Sequence, residues 1–68
     1  MWSPSRILGL RKTYGEKQEE FCRRLRVTIS TFRNWEQGQT APPPWMEELL
    51  DRIEEDWREG RKRELQAS

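Results

Sequence analysis

The sequence predicts an all-α protein with one folded domain. Apolar residues recur at the spacing of a helix face in four segments, and residues typical of helix ends separate these segments. No turn dipeptide flanked by alternating apolar residues indicates a β-hairpin. The 68 residues suffice for one domain with a thin core. We expect this domain to occupy residues 1–57 and a charged C-terminal tail to occupy residues 58–68.

The first predicted helix begins after Ser3, which can accept a backbone N–H as an N-cap, with Pro4 in the first helical position. The residues of its inward face recur every three or four positions, as on one side of an α-helix. That face consists of Ile7, Leu10, Arg11 and Tyr14. Gly15 can adopt the left-handed conformation that ends a helix, so the first helix is expected to stop there.

The second and third predicted helices are separated by a short turn at Arg26-Val27. The second helix is expected from about Lys17 to Leu25. Its inward residues are Phe21, Cys22 and Leu25. Thr28 can cap the third helix through its hydroxyl, and Gly38 can end it. The third helix turns Phe32 and Trp35 inward and is expected to run to about Glu36 or Gln37.

The fourth predicted helix begins at Pro44, the last of three consecutive prolines, because proline is tolerated only in the first turn of a helix. A strong apolar stripe follows it. The stripe consists of Trp45, Met46, Leu49, Leu50, Ile53 and Trp57. The stripe stops at Trp57 and Gly60 interrupts the charged residues beyond it. We therefore expect residues 58–68 to be frayed or only partly helical.

The composition argues against an enzyme and against a metal site. The chain contains one Cys and no His, which leaves no internal disulfide, no usual zinc ligand set and no histidine general base. We therefore expect no catalysis, no metal and no cofactor, and we interpret Cys22 as a buried structural thiol. The chain has neither an apolar run of about 20 residues nor an N-terminal apolar signal segment, so we expect a cytoplasmic protein without membrane contact.

Charge is unevenly distributed, although the formal net charge is only +1. Residues 1–44 carry eight basic and four acidic side chains, residues 45–57 carry one basic and six acidic, and residues 58–68 carry four basic and two acidic. The first part could face a polyanion while the acidic segment faces away from it. An ordinary mixed surface is the alternative, and the distribution alone leaves both interpretations open.

Two charged residues lie on predicted inward faces. Arg11 lies on the face of the first helix, and Glu36 lies on the face that Phe32 and Trp35 define. Removing one charge from water without a partner is costly, so we expect Arg11 and Glu36 to form an ion pair that ties the first helix to the third. The alternative is that each side chain reaches water from the rim of its stripe.

The outward side of the third helix carries groups that can read DNA bases. Ser30, Arg33, Asn34 and Gln37 follow helical spacing and include no acid, and Ile29 lies beside them. Arginine can donate twice to guanine, asparagine can pair with adenine, and isoleucine can contact the thymine methyl group. A solvated helix face is the alternative. Two helices joined by a short turn describe a helix-turn-helix, which favours the DNA interpretation.

Several residues around this stripe could contact phosphates. Gln18 begins the second helix, near the positive end of the helix dipole. The amides near Thr28 and the segment of residues 37–40 are further candidates. The full set of expected phosphate contacts is Lys17, Gln18, Thr28, Thr31, Gln37, Gln39 and Thr40.

The chain resembles the Xre-like helix-turn-helix family, the family of lambdoid phage repressors and Cro proteins. The likeness covers about residues 5–54. It rests on Gln18-Glu19-Glu20-Phe21, Leu25, Val27-Thr28, Ser30-Thr31 and Asn34-Trp35-Glu36-Gln37-Gly38. The resemblance implies a compact lambda-repressor-like bundle of four or five helices that binds double-stranded DNA as a homodimer. It also implies a phosphate contact at Gln18, a cap at Thr28, an Arg11–Glu36 pair, and base reading by Ile29, Ser30, Arg33 and Asn34.

The sequence departs from the family pattern at three positions. Arg26 stands where the family often has a turn glycine, and a left-handed conformation there costs a long side chain about 1 kcal/mol or more, so the turn is expected to differ. Lys17 replaces the usual Ser or Thr cap, which predicts a weaker helix start. Glu16 stands where an apolar residue is usual, so the loop is expected to pack differently.

Trp57 extends the apolar stripe beyond what so small a core requires. We expect Trp57, together with Ile53, to contribute to a dimer interface, because a large exposed aromatic side chain is typical of interfaces. The alternative is that Trp57 packs back on Trp45 or Met46.

The sequence therefore predicts a sequence-specific transcriptional repressor, an autorepressor of phage or mobile-element type that acts at the nucleoid. A homodimer would bind an inverted-repeat operator, with the third helix in the major groove. The alternative is an antitoxin-type protein whose main role is to bind a partner toxin through the acidic fourth helix and the basic tail.

Overall fold

A computed structural model of the chain describes the backbone of residues 1–67 and the side chains of residues 1–61. Within residues 1–67 it contains four α-helices and no strand, which confirms the predicted all-α class. The helices are α1 (Pro4–Tyr14), α2 (Gln18–Leu25), α3 (Ile29–Gln37) and α4 (Pro44–Ala67). Over these same residues, no helix is both long enough and apolar enough to cross a bilayer.

Capping residues determine where α1 and α3 begin and end. The Ser3 hydroxyl accepts the backbone N–H of Arg6 at 3.2 Å, and the Thr28 hydroxyl accepts that of Thr31 at 3.3 Å. Gly15 and Gly38 adopt left-handed conformations, with φ of 68° and 78°. These caps satisfy backbone groups that a helix end leaves without an intrahelical partner. The predicted caps of α1 and α3 are confirmed.

The start of α2 is held differently. Lys17 occupies the cap position, and its ammonium group cannot accept a hydrogen bond. Its backbone N–H instead donates to the Glu20 carboxylate at 3.1 Å. The helix begins at Gln18, as predicted to within one residue, with half of the reciprocal capping arrangement in place.

Arg26 closes α2 in the left-handed conformation, with φ of 59°. Its backbone N–H donates to the Arg23 carbonyl at 3.1 Å, and that of Val27 donates to the Cys22 carbonyl at 3.0 Å. These bonds satisfy the last carbonyls of α2. The expectation that arginine would alter the turn is wrong: the turn keeps the conformation suited to glycine and accommodates the longer side chain.

The core combines aromatic and aliphatic side chains from all four helices with Trp2, two residues before α1. Its buried members are Trp2, Ile7, Leu10, Phe21, Cys22, Leu25, Phe32, Trp35, Met46, Leu50 and Ile53. The Phe21 ring lies 5.6 Å from the Phe32 ring and 5.9 Å from the Tyr14 ring, in tilted arrangements that favour aromatic pairs. Cys22 is buried, as a structural thiol should be.

Hydrogen bonds attach α1 and the N-terminal segment to α4. The Tyr14 hydroxyl donates to the Ile53 carbonyl at 2.8 Å, and burial raises the pKa of this tyrosine. Trp2 donates its backbone N–H to Glu47 and its indole N–H to Asp51, each at 2.8 Å. The N-terminal tryptophan is therefore held by hydrogen bonds as well as by burial.

The structure corrects three expectations for α4. Trp45 is 62% exposed, because it lies about 100° around the helix from Met46, at the edge of the apolar stripe. Ile53 is only 9% exposed and belongs to the monomer core, so it does not offer a dimer surface. The helix continues through Gly60 to Ala67, so the tail predicted to be frayed begins as regular helix.

Candidate nucleic-acid interface

The two sides of α3 differ sharply in burial and polarity. Phe32 and Trp35 are buried in the core, whereas Ser30 and Arg33 are exposed and Asn34 is half-buried. The buried side holds the helix against α1 and α2, which both pack on it. The outward side then presents a hydroxyl, a guanidinium and an amide without a neighbouring acid on that side.

Ile29 does not belong wholly to that outward side. Its side chain is half-buried and packs against the core from the first position of α3. Base reading by Ile29 stays a prediction, and part of its surface is already used within the monomer. The remaining outward residues are polar.

Arg11 and Glu36 are in direct contact beneath this face. The Arg11 Nε atom donates to Glu36 Oε2 at 2.7 Å, and the two side chains are only 17% and 6% exposed. Arg11 Nη1 also donates to the Glu16 carbonyl at 3.0 Å. The ion pair expected from the two inward positions is present, and it joins α1 to α3 in a largely buried setting.

Gln18 is drawn into the same network. Its Nε2 atom donates to Glu36 Oε1 at 2.6 Å, and its Oε1 atom accepts from Arg33 Nε at 3.2 Å. Both ends of the amide therefore have intramolecular partners, and one N–H of Nε2 is not used by Glu36. The sequence predicts a phosphate contact at Gln18 but not these two partners, because residues 15 and 18 positions away in the chain follow no spacing that indicates contact.

The other expected phosphate contacts lie at the two ends of α3 and at the start of α2. Lys17, Gln37, Gln39 and Thr40 are exposed. The Thr28 and Thr31 hydroxyl groups are 2.9 Å apart, so the cap also engages Thr31. Exposed ammonium, amide and hydroxyl groups can all donate to phosphate oxygens. The phosphate contacts of these surface donors stay a prediction.

The loop before α2 is closed by a bidentate ion pair. Arg24 Nε and Nη2 donate to the two Glu16 carboxylate oxygens at 3.0 Å and 2.9 Å. These hydrogen bonds hold the pKa of Glu16 below its usual range. The same guanidinium lies over the Tyr14 ring, 4.5 Å from its centroid. Glu16 is therefore accommodated where an apolar residue was expected.

Comparison of the chain with protein-family models, with curated proteins and with solved structures finds no match. Among the residues whose side chains are described, no group of His, Cys, Asp and Glu is placed to hold a metal ion. The candidate interface is therefore defined by the geometry of α2 and α3 alone.

Proposed function

We propose that the chain is a sequence-specific DNA-binding protein that represses transcription. The observation that carries this proposal is the outward side of α3, where Ser30, Arg33 and Asn34 stand opposite the buried Phe32 and Trp35. A helix with such groups on one side fits the B-DNA major groove and can contact base edges there. Asn34 is half-buried, so it is only partly accessible to a base edge.

The arrangement of α2 and α3 supports the same proposal. A short turn through Arg26 connects them, and each is anchored by side chains of the core. In a helix-turn-helix the second helix reads the major groove while the first crosses the DNA backbone. By analogy with this geometry, we expect α3 to read bases and Lys17, at the start of α2, to lie near phosphates. The resemblance to the Xre-like, lambda-repressor-like family agrees with this assignment.

The proposed mode of action is steric block of a promoter by a homodimer. Two copies of α3 would enter successive major grooves about 34 Å apart on an inverted repeat, acting at the nucleoid. In this proposal the bound dimer blocks access to the promoter, so occupancy of the operator, including one upstream of its own gene as in phage-type autorepressors, suffices for repression.

In-vitro selection from random duplexes tests the proposal directly. The full chain is incubated with a random DNA pool at two salt concentrations, and bound duplexes are sequenced and footprinted. We expect an inverted repeat whose half-sites are about one helical turn apart. A selected pool without any common sequence would contradict the proposal and favour a protein-binding role.

Arg33→Ala is predicted to weaken operator binding and to relax specificity at one base pair of each half-site. Loss of a bidentate arginine–guanine contact costs about 1–3 kcal/mol. Fluorescence anisotropy with the selected operator and its single-base variants measures both effects. Arg52→Ala is the matched control, because Arg52 is exposed on α4 outside the proposed interface. Equal binding by Arg33→Ala and the unaltered chain would refute the assignment of this side of α3 to the groove.

A further inference from the structure

We propose that Gln18 is a positioning residue for base recognition, which holds the Arg33 guanidinium ready to read DNA. This inference rests on the proposed function and assigns Gln18 a role different from a phosphate contact. The supporting geometry is an unbroken series of hydrogen bonds from the largely buried Arg11 through Glu36 and Gln18 to the exposed Arg33.

The chemistry of each group fixes the direction of the series. The ionised Glu36 carboxylate only accepts, and its two oxygens are shared between Arg11 and Gln18. The Gln18 amide must therefore turn its NH2 group toward Glu36. Its carbonyl oxygen then points away from Glu36 and accepts from Arg33 Nε, because a guanidinium can only donate. A flipped amide would place two acceptors together and two donors together.

The Arg11–Glu36 end of the series is conformationally restricted. Arg11 and Glu36 are mostly removed from water, and Arg11 is further fixed by its bond to the Glu16 carbonyl. Side chains enclosed in this way keep one rotamer, whereas an exposed arginine samples many. Because Gln18 is bonded to the restricted Glu36, its own bond to Arg33 restricts the conformations of that arginine.

The consequence for Arg33 is a defined orientation before DNA arrives. Its Nε–H is occupied by Gln18, which leaves the two terminal NH2 groups free on an exposed side chain. These groups form the fork that donates to O6 and N7 of guanine. Ordering a long side chain in advance reduces the entropy lost on binding, so Gln18 should strengthen the reading of that one base pair.

This role predicts a result that a phosphate contact cannot give. A phosphate contact carries no sequence information, so its loss weakens binding to all duplexes alike. Loss of a positioning residue instead reduces the preference at the base pair that Arg33 reads. We expect Gln18→Ala to lower that preference by about five- to tenfold, a part of the discrimination that a bidentate contact provides, and to leave the other preferences unchanged.

The experiment measures the dissociation constants of the full chain for the selected operator and for each single-base-pair variant. Arg33→Ala identifies the base pair that Arg33 reads. Gln39→Ala is the matched control, because Gln39 is an exposed glutamine expected to contact a phosphate, and its loss should affect all sequences equally. In the Arg33→Ala background, Gln18→Ala should cause no further loss of preference at that base pair. Gln18→Met, which keeps the side-chain length, replaces Gln18→Ala if the alanine variant unfolds.

A measurement without DNA tests the same geometry. The Arg33 Nε–H should give a protected nuclear magnetic resonance signal in the unaltered chain, and Gln18→Ala should abolish the protection. A uniform loss of affinity, an unchanged preference, or an unprotected Arg33 Nε–H in the unaltered chain would each overturn the positioning role. Absence of any sequence preference in the unaltered chain would instead contradict the proposed function, so the two failures are distinguishable.

Discussion

Arg26 shows how a single residue stores strain in the turn between α2 and α3. With φ of 59°, it is the one non-glycine residue in the left-handed region among residues 1–67. The close approach of Cβ to the carbonyl oxygen makes this conformation unfavourable by about 1–2 kcal/mol for residues other than glycine. The backbone bonds that end α2 and the packing on both sides of the turn must offset that cost.

Arg26→Gly is therefore predicted to raise the free energy of unfolding by about 1 kcal/mol, reduced somewhat by the greater freedom of glycine in the unfolded chain. Urea denaturation followed by circular dichroism measures the change. Arg23→Gly is the matched control, since Arg23 is an exposed residue within α2, where glycine should destabilise by roughly 1 kcal/mol. A destabilised Arg26→Gly variant would show that the arginine side chain contributes more than its conformation costs.

Residues also differ in how far their roles can be predicted from the sequence. Ser3, Thr28, Gly15 and Gly38 act on backbone groups within a few positions, so their type and spacing suffice to predict them. Gln18 has partners 15 and 18 positions away, and only the packing of α2 against α3 brings those partners within reach. The sequence therefore identifies a polar residue at a helix start, but it does not predict which side chain on another helix that residue bonds to.

At the scale of elements, α1 and α3 are joined by a charged contact inside an otherwise apolar interface. Arg11→Met and Glu36→Gln are each predicted to lower the free energy of unfolding by about 3–5 kcal/mol, because each leaves a largely buried group without its charged partner. The double variant should lose clearly less than the sum of the two losses. Urea denaturation of all four proteins measures this coupling.

The matched control for that coupling is the more exposed pair of Arg6 and Glu54, which are 3.1 Å apart with side chains 42% and 22% exposed. Solvent screens such a pair, so its coupling should stay below about 1 kcal/mol. Additive losses for Arg11 and Glu36 would mean that each side chain acts through packing rather than through the other.

The apolar pattern of α4 predicts its core residues but not its C-terminal end. Its apolar stripe predicts Met46, Leu50 and Ile53 in the core, and these are buried. The stripe does not predict where the helix ends, because helix and apolar stripe need not stop together. Arg58 Nη2 lies 3.4 Å from Glu54 Oε1 one turn away, and contacts of this kind support a helix without a buried face.

At the scale of the whole molecule, α4 continues past the last core residue on this helix, Ile53, and carries Trp57 into the region beyond. Trp57 is half-buried and lines two shallow grooves between α1 and α4. One groove includes Tyr14 and Gly60, and the other includes Gly9 and Thr13. The Arg61 guanidinium lies over the indole ring, 5.2 Å from its centroid, while Gly9 and Gly60 leave space in the grooves. A second copy of the chain could fill that space, which makes Trp57 the candidate centre of the proposed homodimer.

Trp57→Ala is predicted to weaken the homodimer by about 30-fold or more in dissociation constant, since a tryptophan at the centre of an interface commonly contributes 2 kcal/mol or more. Analytical ultracentrifugation across a concentration series measures the association, and binding to a full operator and to a half-site should become nearly equal. Trp45→Ala is the matched control, because Trp45 is a more exposed tryptophan on the same helix. Identical association of Trp57→Ala and the unaltered chain would place the dimer contact elsewhere, and Trp57 would then serve only to cover the end of the α1–α4 contact.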